Sequence, residues 1–427
     1  MATDTSQQLL KGSIYQVFPR CYSKKGSLKE VIADLDRIAD LGFEYLYFLP
    51  LHEPGILNRK GTCGSPYSIR DYYEIDPKLG SLDDFHELLA KAHGLGLNVI
   101  TDIVINHTAC DAVFTKTHPE YYLLDENNQP TRKVPDWSDV YDLDYHNEKL
   151  QAELIAMMEY WARIGVDGFR CDVAPIVPLD FWLRARKALK AINPDFFLLA
   201  ESGEERFIEI MREKKVPILT DNELYAAFDI CYCYDLWDFF KEAFNKETDL
   251  REFARVINYQ QSMLPINNIK CWFLENHDQP RIASIISDHD RIDNWLSFVL
   301  LAKGMGFVYA GEECYDQKRP SLFEKEEVVW NRSFNQEALI RRCNKIKKEL
   351  PFSSYINFRM IPYRSILSFG MYDDDHEYLA YFDVNNRKER VETSLKDGKY
   401  FNLLNDKEVE VHNGLLLVDE PLFIRIK

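Results

Sequence analysis

What most limits the fold of this chain is an alternation that runs from residue 13 to about 350. Short runs that are almost wholly apolar are separated by amphipathic stretches of helical period. SIYQVFP (13–19), YLYFLPL (45–51) and NVITDIVIN (98–106) read as strands. LKEVIADLDRIADLG (28–42) and SLDDFHELLAKAHGLG (81–96) read as helices; Ser81 can cap the second, and its acidic first turn suits the helix dipole. The pattern continues through helix EKLQAELIAMMEYWARIG (148–165), strand DGFRCDV (167–173), helix LDFWLRARKALKAI (179–192) and strands FFLLAES (196–202), IKCWFLENH (269–277) and MGFVYAG (305–311). Strands without polar interruption, spaced by helices, imply a parallel sheet covered on its outer face. About eight such units predict a closed (β/α)8 barrel. Only the sixth strand is open, with two placements possible between 215 and 262.

Two segments depart from the alternation. The connection after the third strand runs roughly 40 residues without a helical period and contains HPEYY, DENNQP and VPDWSDVYDLDY. Long irregular loops in compact domains tend to carry function, so residues 107–147 predict a short excursion domain over the barrel mouth. From residue 352 the chain becomes short alternating runs broken by turn signals, which predicts a C-terminal antiparallel β-domain. The division is therefore 1–106 and 148–351 for the barrel, 107–147 for the excursion and 352–427 for the β-domain. YDDDHE (372–377) reads as a solvated hairpin turn rather than a metal loop.

Composition narrows the function classes. Nine cysteines are scattered without a C-x-x-C pair, which suits reduced thiols in a cytoplasm; Cys231 and Cys233 read as packing residues. No run approaches the ~20 apolar residues of a membrane helix, and MATDTSQQLLKG lacks the apolar segment of a signal peptide. A net charge of −17 disfavours nucleic acid or another polyanion as partner. The N-x-[ST] triplets at 106–108 and 331–333 are chance matches on this reading.

Barrel active sites lie at the C-terminal ends of the strands. Those ends carry Asp102, Asn106 and His107 on the third strand, Arg170 and Asp172 on the fourth, Glu201 on the fifth, and His277 and Asp278 on the seventh. Residues two apart on a strand share a face, so Arg170 and Asp172 point into one cavity. A guanidinium beside a carboxylate lowers its pKa, which predicts an ionised Asp172 fit to act as nucleophile. Glu201 closes the apolar run FFLLAE, where desolvation would keep it protonated as a general acid. Two carboxyls on adjacent strands suit the ~5–5.5 Å separation of a retaining glycosidase.

These residues resemble the four motifs of glycoside hydrolase family 13, the α-amylase family: DIVINH (102–107), GFRCD (168–172), LLAES (198–202) and FLENHD (273–278), in order. IYQVFPR (14–20) and the stretch from Asn58 to Phe85 add to the likeness. The resemblance implies Asp172 as nucleophile, Glu201 as acid/base and Asp278 as the third acid that binds sugar hydroxyls. It implies substrate binding by Tyr67 (a platform under the sugar), His107, Arg170 and His277, with Asp102 and Asn106 in support. Trp137, in VPDWSD, either stacks on an outer sugar or closes the excursion.

The tail of the second motif departs from the family. Many amylases follow the nucleophile with a Lys-His pair that binds substrate and helps hold calcium; here Val173-Ala174-Pro175 follows, closer to the neopullulanase and cyclomaltodextrinase pattern. No cofactor is expected: Asn106 matches one calcium ligand, but the tail does not support the site, and SKKGS (23–27) replaces the Asp-rich calcium loop of oligo-1,6-glucosidase relatives. Gly64-Ser65-Pro66 stands where exo-glucosidases carry a sugar-clamping acid, which predicts an open cleft for an oligosaccharide. PSLFEK (320–325) is expected to line the acceptor side. The leading expectation is hydrolysis of α-1,4-linked glucose oligomers. The alternatives are a 4-α-glucanotransferase using the same triad, an α-1,6- or α-1,1-specific glucosidase, a silent carbohydrate-binding protein, and a metal enzyme on Asp102, His107, His277 and Asp278. Arg170 beside such a cation would be a liability. Oligomeric state stays open.

Overall fold

The computed structural model describes every residue except 1, 3, 352, 354 and 355. Eight parallel strands close a barrel: β1 (Ser13–Val17), β2 (Tyr45–Phe48), β3 (Asn98–Ile103), β4 (Gly168–Cys171), β5 (Phe197–Ala200), β6 (Ile230–Tyr232), β7 (Lys270–Trp272) and β8 (Met305–Tyr309). Each pairs with its neighbours in chain order, and β8 returns to pair with β1, Ser13 opposite Gly306. The open placement of the sixth strand resolves to three residues, Ile-Cys-Tyr, too short for a period to show in the sequence.

The covering helices follow their apolar stripes. Leu28–Asp40 buries Leu28, Val31, Ile32, Leu35 and Ile38, the i, i+3, i+4 face that packs on the barrel. Leu82–Gly94 opens on a capping box between Ser81 and Asp84. Glu148–Ile164 starts under the Asn147 side chain and stops at Gly165, whose φ of 117° ends the helix in the left-handed region.

Within the excursion, His107–Ala109 pairs antiparallel with Val140–Asp142, and Val113–Thr117 makes one short helix. The C-terminal sheet has eight antiparallel strands. Six coincide with the alternating runs SILSFGMY, EYLAYFDV, VETSL, KYFNLL, KEVEVH and PLFIRIK; Asn357–Pro362 and Leu415–Val418 do not. No period marks the second in the sequence, because LLLV does not alternate. What defines it is the Asn413-Gly414 turn before it, with φ of 52° and 73°, a hairpin geometry that brings Leu415 back opposite His412.

Sheet and barrel share one apolar core. Helix His289–Leu301 sets Phe298 against Phe369 and Phe382 of the sheet, at ring-centroid distances of 6.1 and 6.3 Å. Arg291 Nε donates to the Val384 carbonyl at 2.7 Å, and Asn294 Oδ1 accepts the Asp383 N–H at 2.7 Å. All nine cysteines are free. No described helix is long and apolar enough to cross a membrane.

Candidate active site

Register sets the site. Asp102 on β3 lies opposite Arg170 on β4, and Cys171 lies opposite Ala200 on β5. The ladder runs one residue past the strands: the Asp172 N–H donates to the Ile103 carbonyl at 3.0 Å and the Glu201 N–H to the Cys171 carbonyl at 3.1 Å. Asp172 and Glu201 therefore leave the barrel on the same rung, side by side.

Arg170 is fully buried beneath them. Its Nη1 donates to Asp102 Oδ1 and to Asp172 Oδ1, both at 2.9 Å. Its Nη2 lies 2.8 Å from Glu201 Oε1, an ion pair without hydrogen-bond alignment. One guanidinium thus serves three carboxylates, which corrects the expectation of opposed pKa shifts. Burial, and then the charge of Glu201, push the Asp172 carboxyl well above its ordinary value despite Arg170. Burial raises Glu201 as well, with Arg170 opposing and Asp278 adding. Three anions around one cation leave charge unbalanced, so Asp172 and Glu201 titrate as a pair that retains a proton above the usual carboxylate range.

The Val173 tail has a role that spacing could not show. Val173 adopts φ 37°, ψ 43°, a left-handed conformation rare for a β-branched residue. Such strain costs of order 1–3 kcal/mol and gathers at functional sites. Here it turns the Val173 N–H onto Glu201 Oε2 at 2.7 Å, fixing that carboxyl from the side opposite Arg170.

Tyr67 and His277 form a stacked pair, 5.5 Å between centroids and 19° between planes. The Tyr67 hydroxyl donates to Asp102 Oδ2 at 2.9 Å and meets His277 Nε2 at 2.5 Å; the Tyr47 hydroxyl also donates to Asp102, at 2.5 Å. Asp102 therefore holds Arg170 and Tyr67 in place from below. His277 Nε2 lies 3.1 Å from Asp278 Oδ2. Burial alone would raise Asp278, but His277, Arg170 and Arg319 outweigh it and bring its pKa down to about 2. Burial lowers the pKa of His107, so its imidazole is neutral; Asn106 Nδ2 donates to its Nδ1 at 3.1 Å.

A cavity of about 390 Å³ opens over Tyr67, His107, Asp172, Glu201 and Asp278, and reaches Lys60 and Phe323. A second of about 260 Å³ adjoins it past Glu201 and Asp278 and is lined by Glu204, Phe207 and Tyr234. Trp137 borders both, its ring 5.3 Å from that of His107. Tyr67 and His107 line the first cavity, and the second lies on the far side of Glu201 and Asp278, which border both. Phe323, in PSLFEK, lines the first cavity and not the second.

All nine residues singled out from the sequence converge here, although Asn106 reaches the site only through His107. Val173 and Lys60 were missed as site residues, whereas Phe323 lies in PSLFEK, a stretch expected along the cleft. A backbone amide and a contact between distant loops leave no spacing signal.

The fold's calcium position can be tested on its donors. Asn106 Oδ1 accepts a hydrogen bond from Lys133 Nζ at 3.0 Å, and the same ammonium is 3.6 Å from Asp142 Oδ2. Asn106 Nδ2 turns toward Asp142 Oδ1 at 3.4 Å. Calcium takes ~6–8 oxygen ligands; here the oxygens already face a cation carried by the chain, and an amide NH2 points inward. These residues do not fit calcium. Among the described residues, no three or more His, Cys, Asp or Glu side chains form a group that could hold a metal ion.

Comparison with known proteins agrees with the geometry. Residues 4–139 and 134–350 match the model of the alpha amylase catalytic domain, and 365–424 that of the bacterial alpha amylase C-terminal domain. The crystal structure of an alpha-amylase from Lactobacillus plantarum superposes with a TM-score of 0.94 at 39% identity, covering 99% of this chain and 100% of that one. A noncanonic maltogenic alpha-amylase from Thermotoga neapolitana gives 0.86 at 33% identity, covering 98% and 99%. Alpha-amylase 3 of Dictyoglomus thermophilum is 25% identical over 354 residues, 74% of this chain. The chain spans 66% of that relative's length, just under two thirds.

Proposed function

This chain belongs to the α-amylase family of glycoside hydrolases, enzymes of O-glycosyl bonds, and from that premise we propose that it is a retaining hydrolase of α-1,4-linked glucose oligomers. The observation that carries this reading is the pair Asp172 and Glu201, on one rung and on the two nitrogens of one guanidinium. Substrate binding supplies the missing asymmetry: with the shared proton on Glu201, Asp172 is the free carboxylate. An Asp172 oxygen attacks C1 of the sugar over Tyr67. The C1–O bond breaks, its electrons pass to the leaving oxygen, and that oxygen takes the Glu201 proton. Asp278, ionised throughout, accepts hydroxyl hydrogen bonds from the ring as positive charge grows at C1. A water oxygen then attacks C1 from the leaving-group side as its proton passes to the Glu201 carboxylate; the C1–Asp172 bond breaks, its electrons return to the Asp172 carboxylate, and the sugar leaves with its anomeric configuration kept.

The nine free thiols support a cytoplasmic setting. A second reading, transfer to a sugar hydroxyl instead of water, is favoured by one feature: the 260 Å³ cavity beside Glu201 offers Phe207 and Tyr234 to an acceptor ring. Incubation with maltoheptaose separates the two. Products only shorter than the substrate mean hydrolysis; longer chains mean transfer. Asp172→Asn is expected to fold and to lose at least ~10³-fold in turnover; near-normal turnover would remove Asp172 as nucleophile.

A further inference from the structure

Three loops meet across one end of the larger cavity. The loop after β2 carries Lys60, the excursion carries Asp136 and Asp139, and the segment after β8 carries Phe323. Lys60 Nζ pairs with Asp139 Oδ1 at 3.1 Å, donates to the Asp136 carbonyl at 2.9 Å and lies 5.9 Å over the Phe323 ring. The Asp139 side chain is only 5% exposed, so this charge is seated rather than draped on the surface. The loops are also tied by their backbones. The Cys63 N–H donates to the Phe323 carbonyl at 2.9 Å, Glu324 accepts from the Thr62 N–H and hydroxyl, and Arg20 Nη1 donates to the carbonyls of Gly64 and Leu322. Gly61, at φ +63°, approaches so closely that a Cβ there would fall 2.6 Å from the Phe323 carbonyl oxygen.

Chemistry tells which end of the substrate meets this wall. The nucleophile bonds to C1 of the donor sugar, so the rest of the donor chain extends from its O4 toward the non-reducing end. That direction leads away from Glu201 and the second cavity, and so toward Lys60. A donor-side volume of about 390 Å³ lies near the low end of the ~300–1,000 Å³ of small-molecule pockets.

We propose, resting on the hydrolytic reading above, that the Lys60–Asp139–Phe323 bridge is a stop at the donor end of the cleft. It admits only the last unit or two of an α-glucan, so the enzyme works from the non-reducing terminus and releases a mono- or disaccharide of one length. This replaces the open cleft read from Gly64-Ser65-Pro66.

The test compares maltoheptaose with maltoheptaose blocked by a benzylidene group on its non-reducing terminal unit. The wild-type enzyme is expected to give one short product from the earliest times and to cleave the blocked substrate at least about 100-fold more slowly. Lys60→Ala, which removes the bridge, is expected to narrow that ratio at least about tenfold and to spread the product lengths. Phe323→Ala, which leaves the Lys60–Asp139 pair intact, is judged by the same ratio, so poor folding of the first variant does not decide the matter. Equal rates on both substrates with wild type, or an unchanged ratio in a folded Phe323→Ala enzyme, overturns the stop and leaves the hydrolytic reading standing. Failure to cleave either substrate overturns the hydrolytic reading, and the stop with it.

Discussion

Asp172 and Glu201 can be understood only through what Arg170 is asked to balance. From sequence, the spacing of Arg170 and Asp172 on one strand made their shared cavity legible, because a strand's period of two is strict. The direction of the Asp172 shift was not legible, since it depends first on burial and then on Glu201 and Asp102 also reaching the same guanidinium. The pH profile follows. As pH falls through the pair's first ionisation, Asp172 becomes protonated and cannot attack; as pH rises through the second, Glu201 loses the proton it must give. Both carboxyls are raised. Both limbs of the kcat/KM profile are therefore expected above the ~3.9 and ~4.3 of free carboxyls. Glu201→Gln should abolish the upper limb. It should also cost roughly 10²–10⁴-fold on maltoheptaose, while a maltosyl fluoride, whose leaving group needs no proton, still forms the glycosyl-enzyme. An equal loss on both substrates would argue against Glu201 as the acid.

At the level of elements, the informative case is the seam between excursion and barrel. Strand-end acids could be read from the chain because each sits at a fixed place relative to an apolar run. The partner of Asn106 could not, since Lys133 lies in an irregular stretch with no period to mark its direction. Its ammonium joins the excursion to the end of β3 through Asn106 and the buried Asp142. Lys133→Ala should leave that carboxylate short of its cation and cost about 3 kcal/mol, the scale for breaking a buried pair; denaturant titration measures it. A calcium chelator should leave both the wild-type melting temperature and the product pattern unchanged. A chelator-induced drop in melting temperature would show that Lys133 does not do this work. The Asn413-Gly414 hairpin makes a related point: a turn signal located a strand that its own side chains concealed.

Across the whole molecule, the eightfold alternation was plain because parallel strands buried on both faces have almost no freedom of composition. Where the C-terminal sheet attaches was not, because Phe298, Phe369 and Phe382 come together only in the folded chain. Their contact forecasts that the barrel does not stand without the sheet. A chain ending at residue 351 should expose the apolar face of helix His289–Leu301 and aggregate, and the full chain should unfold in one transition by calorimetry. A soluble, monomeric truncation with the full chain's activity would refute this.

The pairing of β1 with β8 has a consequence for biosynthesis. The first strand leaves the ribosome with one edge that can be satisfied only by Met305–Tyr309, made roughly 290 residues later. At ~5–20 residues per second, that edge waits on the order of 15–60 seconds. Through this interval a buried-type strand, Ser-Ile-Tyr-Gln-Val, is a template for unwanted pairing with other nascent chains. The active-site rung, by contrast, is complete once β5 has emerged. The growing chain therefore sets Asp172 beside Glu201 well before it can shield the strand on which the barrel closes, while Asp278 follows only after β7.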